Sequence, residues 1–441
     1  MPLSPRPSSD IHHPAQRVAV IGSGVSAMVC AWHLHRAGRE VTVFESQARM
    51  GGHTHTHTVV EEGPGGAGAL QIDTGFIVFN PVAYPNFVNL LAQLKVESRE
   101  TTMGLGVHDP AANLCWRSDN PFAQKRNVLR PDFLKMLAAM PRFHREMLAL
   151  VGSHDIGLTV GDFLKKHRFD GPLARWYLLP MGAAVWSSSP KQFEDFPAVF
   201  LAQFMHNHRM LQVANRPVWR TVVGGSSAYM RQLAQPLSGR IRLGDPVSAV
   251  RRYPDHVEVD AKSGMHTFDA VVIGCHSDEA LAMLPDARPA ERTALAAIPY
   301  RASETVLHTD TSLMPPVQKA WTAWNVRLPQ PGAQAEGLTA TYWMNALQGL
   351  KCRENYLVSL NETGRIDPGK IIARMKYSHP AFTPERAKAH DARSQISGHN
   401  RTHFCGAYWG WGFHEDGVRS GLLAARELGC VLDLKEVQHD A

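Results

Sequence analysis

A glycine-rich turn between two short apolar runs constrains the fold of this chain more than any other feature. Residues 18–21 form the first run, Gly22 and Gly24 follow, and residues 41–44 form the second run, which ends at Glu45. This order predicts strand, turn, helix and strand. In such a unit the helix N-terminus binds a pyrophosphate, and an acidic residue about 20 positions later accepts hydrogen bonds from a ribose. The segment therefore predicts a dinucleotide-binding βαβ unit rather than a glycine turn without a ligand.

The residues after Glu45 indicate which dinucleotide binds. Residues 49–54 are Arg-Met-Gly-Gly-His-Thr, and residues 73–76 are Asp-Thr-Gly-Phe. With the first turn, these runs resemble the superfamily of FAD-dependent amine oxidases and phytoene desaturases, in which such a stretch wraps the FAD diphosphate. The family usually has arginine after the glycine pair, where this chain has His53, and a neutral imidazole donates one hydrogen bond instead of a charged fork.

The resemblance implies FAD as the cofactor and a set of residues that hold it. For Asp416, the N-cap of the C-terminal helix is a competing interpretation, because a carboxylate beside a reduced flavin is unfavourable. The implied cofactor-binding residues are Gly22, Ser23, Gly24, Val25, Ser26, Glu45, Ser46, Arg49, Gly51, Gly52, His53, Thr54, Gly75, Phe76, Val247, Gly406, Asp416, Gly417 and Val418.

The fold class expected from pattern and resemblance is α/β, with a Rossmann-like (GR2-type) FAD-binding domain and an interleaved α+β substrate domain. Residues 1–14, which are polar and proline-rich, are expected to form a disordered tail. The expected segments are 15–80, 205–280 and 400–435 for the FAD-binding domain, and 81–204 and 281–399 for the substrate domain.

Within the substrate domain, residues 81–203 have helical periodicity, which predicts a helical insertion. The expected helices cover residues 87–94, 133–140 and 143–151, and Pro141 is expected to separate the last two. Strand-like composition predicts strands at residues 320–326, 338–343 and 356–360.

Composition limits the remaining classes. The chain has 441 residues, a net charge of +6 and six scattered cysteines without a CxxC pair. No helix–turn–helix, RRM or zinc-finger spacing appears, so a nucleic acid partner is not expected. No apolar run is long enough to span a bilayer. We expect a cytoplasmic protein with free thiols.

Three alternating histidines, His53, His55 and His57, would share one face of a strand, which suits a metal ion. No cysteine or carboxylate at ligand spacing joins them nearby. The resemblance places this loop beside the diphosphate instead, and no metal is expected.

Residues 125–145 interleave basic and apolar side chains. A solvated helix face explains the pattern, and peripheral contact with an anionic membrane, on its inner face, is the alternative.

Two departures from the amine oxidases disfavour an amine substrate. Residues 298–308, which match the family's strand with a lysine near flavin N5, contain no lysine, and Phe413 stands where the family has a tyrosine of its aromatic cage. Residues 412–417, 342–345 and 51–54 together resemble a bacterial branch similar to the oxidase portion of plant cyclopropane fatty-acid synthases. That resemblance implies a lipid acyl substrate.

The sequence therefore predicts an FAD-dependent desaturase, dehydrogenase or oxidase that takes a hydride from a C–H bond of a small-molecule or lipid substrate. The catalytic candidates are His414, Tyr408 and Phe413, and His414 is expected to exchange protons near neutral pH. An amine oxidase and a flavin-binding protein without turnover are the alternatives. A pyridine-nucleotide dehydrogenase would need a second GxGxxG motif, which the sequence lacks. Apolar residues expected to line a substrate tunnel are Trp176, Tyr177, Met181, Trp186, Phe204 and Met205.

Overall fold

The computed structural model describes residues 16–435 apart from 64, 65, 154, 187, 188, 213–216, 330–338, 362, 382, 384, 387, 388, 390 and 391. The tail expected at residues 1–14 lies outside the described residues. The described strands are β1 (Arg17–Ile21), β2 (Glu40–Glu45), β3 (Thr56–Gly63), β4 (Gly66–Asp73), β5 (Val78–Phe79), β6 (Ser98–Thr101), β7 (Leu105–Asp109), β8 (Leu114–Arg117), β9 (Trp219–Val222), β10 (Ile241–Leu243), β11 (Val247–Arg252), β12 (Val257–Ala261), β13 (Gly264–Phe268), β14 (Ala270–Ile273), β15 (Tyr300–His308), β16 (Trp324–Arg327), β17 (Thr339–Trp343), β18 (Leu357–Leu360), β19 (Ile371–Pro380) and β20 (Thr402–Phe404).

The described α-helices are α1 (Val25–Arg36), α2 (Pro85–Gln93), α3 (Pro131–Leu148), α4 (Val160–Lys166), α5 (Leu179–Val185), α6 (Pro190–Glu194), α7 (Ala198–Asn207), α8 (Ser227–Ala234), α9 (Ser277–Ala282), α10 (Pro289–Ala296), α11 (Met344–Leu347), α12 (Arg393–Ile396) and α13 (His414–Glu427). Short 3₁₀ helices include Lys125–Leu129 and Ala407–Trp409, and residues Ala174–Leu178 form a π-helix that runs into α5.

A parallel sheet in the order β10-β2-β1-β14-β20 organises the nucleotide-binding half of the described chain. β1 lies between β2 and β14 and is parallel to both. Its residues 18–21 are apolar and buried because helices cover one face of the sheet and β11–β13 cover part of the other. Three separated segments supply these strands, which confirms the Rossmann-like α/β fold with a second, interleaved part.

The substrate part is built on a seven-stranded sheet in the order β19-β15-β18-β17-β16-β7-β8, with α3 to α7 packed against one end. Two of these strands, β7 and β8, lie in the region that the periodicity predicted to be helical, so that prediction is wrong there. They are only 5 and 4 residues long, and β7, which carries β8 at the sheet edge, joins the sheet by pairing with β16, more than 200 positions later, which no local pattern reveals.

Pro141 does not separate two helices, as the sequence predicted. It lies inside the continuous helix α3. Phe133, Met136, Phe143 and Met147 are fully buried on both sides of it. Burial of four large side chains is worth more than the roughly 3 kcal/mol that an interior proline costs, so the helix continues.

The structure shifts the expected domain boundaries. α2 was assigned to the substrate domain, yet its Phe87, Leu90 and Leu91 pack in the same core as α1 and α13. α7 continues across the boundary expected between residues 204 and 205. α9 and α10 also pack beneath the parallel sheet, beyond the expected end at residue 280.

No helix of the described chain is long and apolar enough to cross a membrane. The six cysteines are free, and four of them are buried.

Candidate active site

Ser23 and Glu45 fix the glycine-rich turn after β1. The backbone N–H and the hydroxyl of Ser23 donate to Glu45 Oε2 at 3.0 and 2.5 Å. Gly51 N–H in turn donates to Ser23 Oγ at 3.1 Å, which ties the second glycine loop to the first. Gly22 has a φ of +97°, and a Cβ there would lie 3.1 Å from the backbone of Gly274. The turn therefore requires glycine at this position.

The space in front of α1 is open. A Cβ at Gly24 would have no atom within 4 Å, and a Cβ at Gly52 would lie 3.4 Å from the Cα of Gly24. The second glycine loop therefore lies close to the first, and the open space beside Gly24 forms a gap at the N-terminus of a 12-residue helix. Such a gap accommodates a diphosphate, because the first N–H groups of the helix have no intrahelical partners.

A cavity of about 990 Å³ extends from these glycines into the substrate part. Most of the residues predicted to bind the cofactor or to take part in catalysis line it. These are Gly22, Ser23, Gly24, Val25, Ser26, Glu45, Ser46, Gly51, Gly52, His53, Gly75, Phe76, Val247, Gly406, Tyr408, Phe413 and His414.

The other predicted site residues support the cavity wall from behind. Arg49 donates to the carbonyl oxygen of Gly52 at 2.9 Å and so closes the second glycine loop. Thr54 is buried beneath that loop. Gly417 lets α13 approach α1, since a Cβ there would lie 2.7 Å from a methyl group of Val25, and Val418 is fully buried in the core beside it.

Asp416 is turned away from the cavity, so the prediction of a direct cofactor contact is not supported by its position. Its Oδ2 accepts hydrogen bonds from the backbone N–H groups of Trp411 and Phe413, at 3.0 and 2.9 Å. Asp416 is not the N-cap itself, because α13 begins at His414, but as the third residue of the helix it caps the N-terminus by accepting from the N–H of the N-cap residue Phe413. Burial raises the pKa of this carboxyl to about 7.

Several buried polar atoms on the cavity wall have no partner among the described residues, and His53 Nε2, His379 Nδ1 and Tyr408 Oη are three of them. Buried polar atoms are almost always hydrogen-bonded, so these atoms indicate a polar ligand. Together with the open gap at Gly24, they fit FAD, which carries a diphosphate, a ribityl chain and a flavin ring.

His53 is a neutral residue in an aromatic stack. Its ring lies 4.9 Å from that of His379 and 5.1 Å from that of Tyr377, measured between centroids. Burial, then the neighbouring His379 and His276, hold the pKa of His53 well below its usual value. The site thus presents an uncharged imidazole where the family usually has a cation.

The sequence did not predict four aromatic residues of this wall. His276 and Tyr300 stack at 4.2 Å, and Tyr377 and His379 lie on β19. His276 could have been found, because it follows the carboxyl end of β14 in the parallel sheet, where ligands of such folds bind. The other three belong to strands of the second sheet, and no local signal marks them.

His414 is held by two contacts. Its Nε2 lies 2.5 Å from the hydroxyl of Tyr229, which lies 2.5 Å from Thr54 Oγ1, and its ring stacks on Phe76 with centroids 3.7 Å apart. Burial lowers the pKa of His414 to about 3. This direction disfavours the proton exchange near neutral pH that the sequence led us to expect of His414.

The far end of the cavity is apolar. Leu137 and Met140 of α3 line it, and Tyr342 stacks on Trp324 at 6.1 Å. Phe413 packs against Phe204, at the junction of the two cores. Of the residues expected to line a tunnel, Tyr177, Met181 and Phe204 do so, whereas Trp176, Trp186 and Met205 are not on the wall.

No lysine lies on the described wall of the cavity. On β15, which corresponds to the strand with the family's lysine, Thr305 faces the cavity, and its buried hydroxyl has no partner within the described chain.

The alternating histidines do not converge on a metal ion. His53 turns towards His379, whereas the rings of His55 and His57 contact each other at 4.1 Å. Among the residues that the structure describes, no group of three or more His, Cys, Asp or Glu side chains is arranged to hold a metal.

Comparisons with known proteins agree with this geometry. The family model of flavin containing amine oxidoreductases matches residues 26–311 and 370–429. A flavin-dependent L-tryptophan oxidase, RebO, from Lentzea aerocolonigenes is 38% identical over 275 residues, which are 56% of this chain and 55% of that protein. The chain thus spans about half the length of this curated relative.

Two solved structures share the fold. Cyclohexylamine oxidase from Brevibacterium oxydans IH-35A has a TM-score of 0.68 at 16% identity, covering 94% of this chain and 99% of its own. A conjugated-linoleic-acid (CLA)-producing fatty acid isomerase from P. acnes has a TM-score of 0.67 at 14% identity, covering 93% and 98%.

Proposed function

Because the chain belongs to the flavin containing amine oxidoreductase family and is an FAD-dependent oxidoreductase, we propose that it takes a hydride from a C–H bond of a lipid acyl chain. This is a reaction of the desaturase, dehydrogenase or oxidase type. The observation that carries the proposal is the apolar extension of the cofactor cavity, lined by Leu137, Met140, Met181 and Phe204. Burial of an acyl chain is worth ~0.8 kcal/mol per methylene, and such a wall uses that energy to position the substrate.

Bound FAD supplies the two-electron acceptor for the hydride. The protein's own residues position the cofactor and the substrate and exclude water from them. We propose that Gly24 and the N-terminus of α1 hold the diphosphate, that Ser23 fixes the turn through its hydrogen bonds to Glu45, and that the unpartnered ring nitrogens of His53 and His379 hydrogen-bond the cofactor.

His414, Tyr408 and Phe413 are proposed to form the wall beside the reacting carbon. His414 keeps its ring fixed between Phe76 and Tyr229, so it contributes orientation rather than a charge. Burial also raises the pKa of Tyr408 well above its usual value, so this phenol stays protonated. All three side chains exclude water from the site.

The experiment is to mix the FAD-loaded protein with a candidate substrate without oxygen. Reduction of the bound flavin is then measured as the loss of its visible absorbance. Acyl lipids of increasing chain length should bleach the flavin at increasing rates, and mass spectrometry should show a product that has lost hydrogen. If no acyl lipid bleaches the flavin, or if the rate is independent of chain length, the proposed substrate class is wrong.

The alternative function, an amine oxidase, is supported by the family to which the chain belongs. The same FAD-loaded protein tests it when amines are supplied as substrates. The described cavity wall lacks a lysine, and Phe413 replaces the cage tyrosine. We therefore expect monoamines and polyamines to release peroxide slowly. Turnover of an amine above about 1 per second, an ordinary enzyme rate, would favour the alternative.

A further inference from the structure

An exposed apolar surface lies between β8 and α3, and we call it the 122–135 patch. It contains the short helix Lys125–Leu129 and the first turn of α3. Leu129 is 81% exposed and Val128 54%, and Phe122 and Leu134 are exposed as well. Single exposed apolar residues are ordinary, but four within 13 positions form a surface that indicates a binding partner.

The patch is also basic. It carries Lys125, Arg126, Arg130 and Lys135, and a single acidic residue, Asp132, which pairs with Lys135 at 3.0 Å. Arg126 and Arg130 donate to the backbone carbonyl of Asn113. Within the described chain none of Lys125, Arg126 and Arg130 has a carboxylate partner, so their charges are not neutralised.

Residues on either side of the patch in the sequence form part of the cavity wall. Ser118 and Pro121 line the cavity just before the patch begins, and Leu137 and Met140 line it from the next turns of α3. The patch is therefore flanked along the chain by residues of the cavity wall, and the two on α3 belong to its apolar end.

We propose that the 122–135 patch docks the protein on an anionic lipid bilayer, with Val128 and Leu129 in the headgroup region and the basic side chains on the lipid phosphates. Apolar side chains surrounded by cations suit such a surface, since the apolar groups insert among the headgroups while Lys and Arg are attracted to the anionic lipids. The inference rests on the proposed acyl substrate for its purpose: docking would let an acyl chain enter the cavity without crossing water.

The FAD-loaded protein is tested by co-sedimentation with mixed phosphatidylcholine–phosphatidylglycerol vesicles and with pure phosphatidylcholine vesicles. Binding to the mixed vesicles at low salt and release at high salt is the expected result. Equal binding to both vesicle types, or no binding to either, would overturn the proposal.

Two double variants locate the surface. Lys125→Glu/Lys135→Glu should weaken partitioning onto the mixed vesicles roughly tenfold or more. Its matched control, Lys262→Glu/Lys351→Glu, makes the same charge change at exposed sites elsewhere and should have a much smaller effect. Val128→Ser/Leu129→Ser should also weaken binding, whereas the control Val60→Ser/Met265→Ser, at side chains that are 66% and 49% exposed, should not.

Two further measurements distinguish failure of the docking proposal from failure of the proposed function. If the patch variants change the oligomeric state in gel filtration and leave vesicle binding intact, the patch is a protein interface and the proposal is wrong. A micellar acyl substrate should bleach the flavin of the patch variants at the wild-type rate. Absence of bleaching with intact vesicle binding would instead refute the proposed function alone.

Discussion

At the scale of single residues, a substitution at Gly24 is expected to change cofactor binding without changing the fold. Its φ is −64°, and a Cβ there meets no atom, so a side chain can be added without strain. A Gly24→Asp substitution would place a carboxylate against the diphosphate, and we expect FAD binding to weaken roughly a hundredfold or more. Flavin titration and the unfolding temperature of the apoprotein check this.

Gly24→Ala is the control, because it adds a Cβ without a charge. It should fold like the wild type and retain most of its FAD affinity. Equal loss of FAD by both variants would show that space, and not charge, decides binding at this turn.

His53 is expected to act through one hydrogen bond. A His53→Phe substitution keeps the aromatic stack with His379 and removes the unpartnered Nε2. We expect FAD affinity to fall roughly three- to tenfold, the usual net value of one hydrogen bond. His57→Phe is the matched control: its Nε2 is also buried and unpartnered in the described chain, but His57 does not line the cavity. An equal effect of both substitutions would contradict a cofactor contact of His53.

At the scale of elements, the start of α13 predicts a pH dependence. Burial raises the pKa of Asp416 from 3.8 to about 7. The folded protein therefore holds this proton more tightly than the unfolded chain does. The resulting stabilisation is complete below pH 3.8 and is lost as the pH rises through about 7.

Asp416→Asn should remove this dependence, because an amide oxygen can still accept from Trp411 and Phe413. The unfolding free energy of the variant, relative to that of the wild type, should rise between pH 3.8 and 7 in urea titrations of the FAD-saturated proteins. Burial also raises the pKa values of Asp73 and Glu415, but both residues are present in the two proteins, so their contributions to the difference in unfolding free energy cancel. Parallel pH curves would show that Asp416 does not titrate there.

Elements that local pattern defines were predictable, and elements that distant contacts define were not. β1, α1 and β2 follow from one run of apolar residues and glycines, and the structure has them within a residue or two of the expected positions. α2 was predicted as a helix of the substrate domain, and its buried side chains pack in the core shared by α1 and α13. Its N-terminal N–H groups are capped by Glu415, 329 positions from Asn86, and this contact cannot be inferred from spacing.

At the scale of the whole molecule, the family resemblance predicted the fold and the cofactor, and it pointed to the glycine loops. It could not predict Tyr300, Tyr377 and His379 of the aromatic wall, because β15 and β19 bring these residues to the cofactor site from the second sheet. The pKa of His414 could not be predicted from the sequence either, since it depends on the packing of this side chain against Phe76 and Tyr229. Charges and proton affinities in this cavity are properties of the assembled molecule.

The length of the cavity is such a property, and it leads to the last prediction. Leu137 lines the apolar end from α3 and is only partly buried, so a larger side chain is tolerated there better than in the core. Leu137→Trp would fill the space of about two methylenes, each worth ~0.8 kcal/mol. We expect the rate of flavin bleaching by a long acyl lipid to fall roughly tenfold, and the rate with a short acyl lipid to stay near that of the wild type.

Leu137→Met is the control, because it nearly conserves volume and should leave both rates unchanged. FAD content and unfolding temperature of the two variants establish that the cofactor end of the cavity is intact. If Leu137→Trp slows short and long lipids equally, the indole has disturbed the reacting centre rather than shortened the cavity. If it slows neither, the acyl chain does not lie along α3, and the apolar wall there only stabilises the fold.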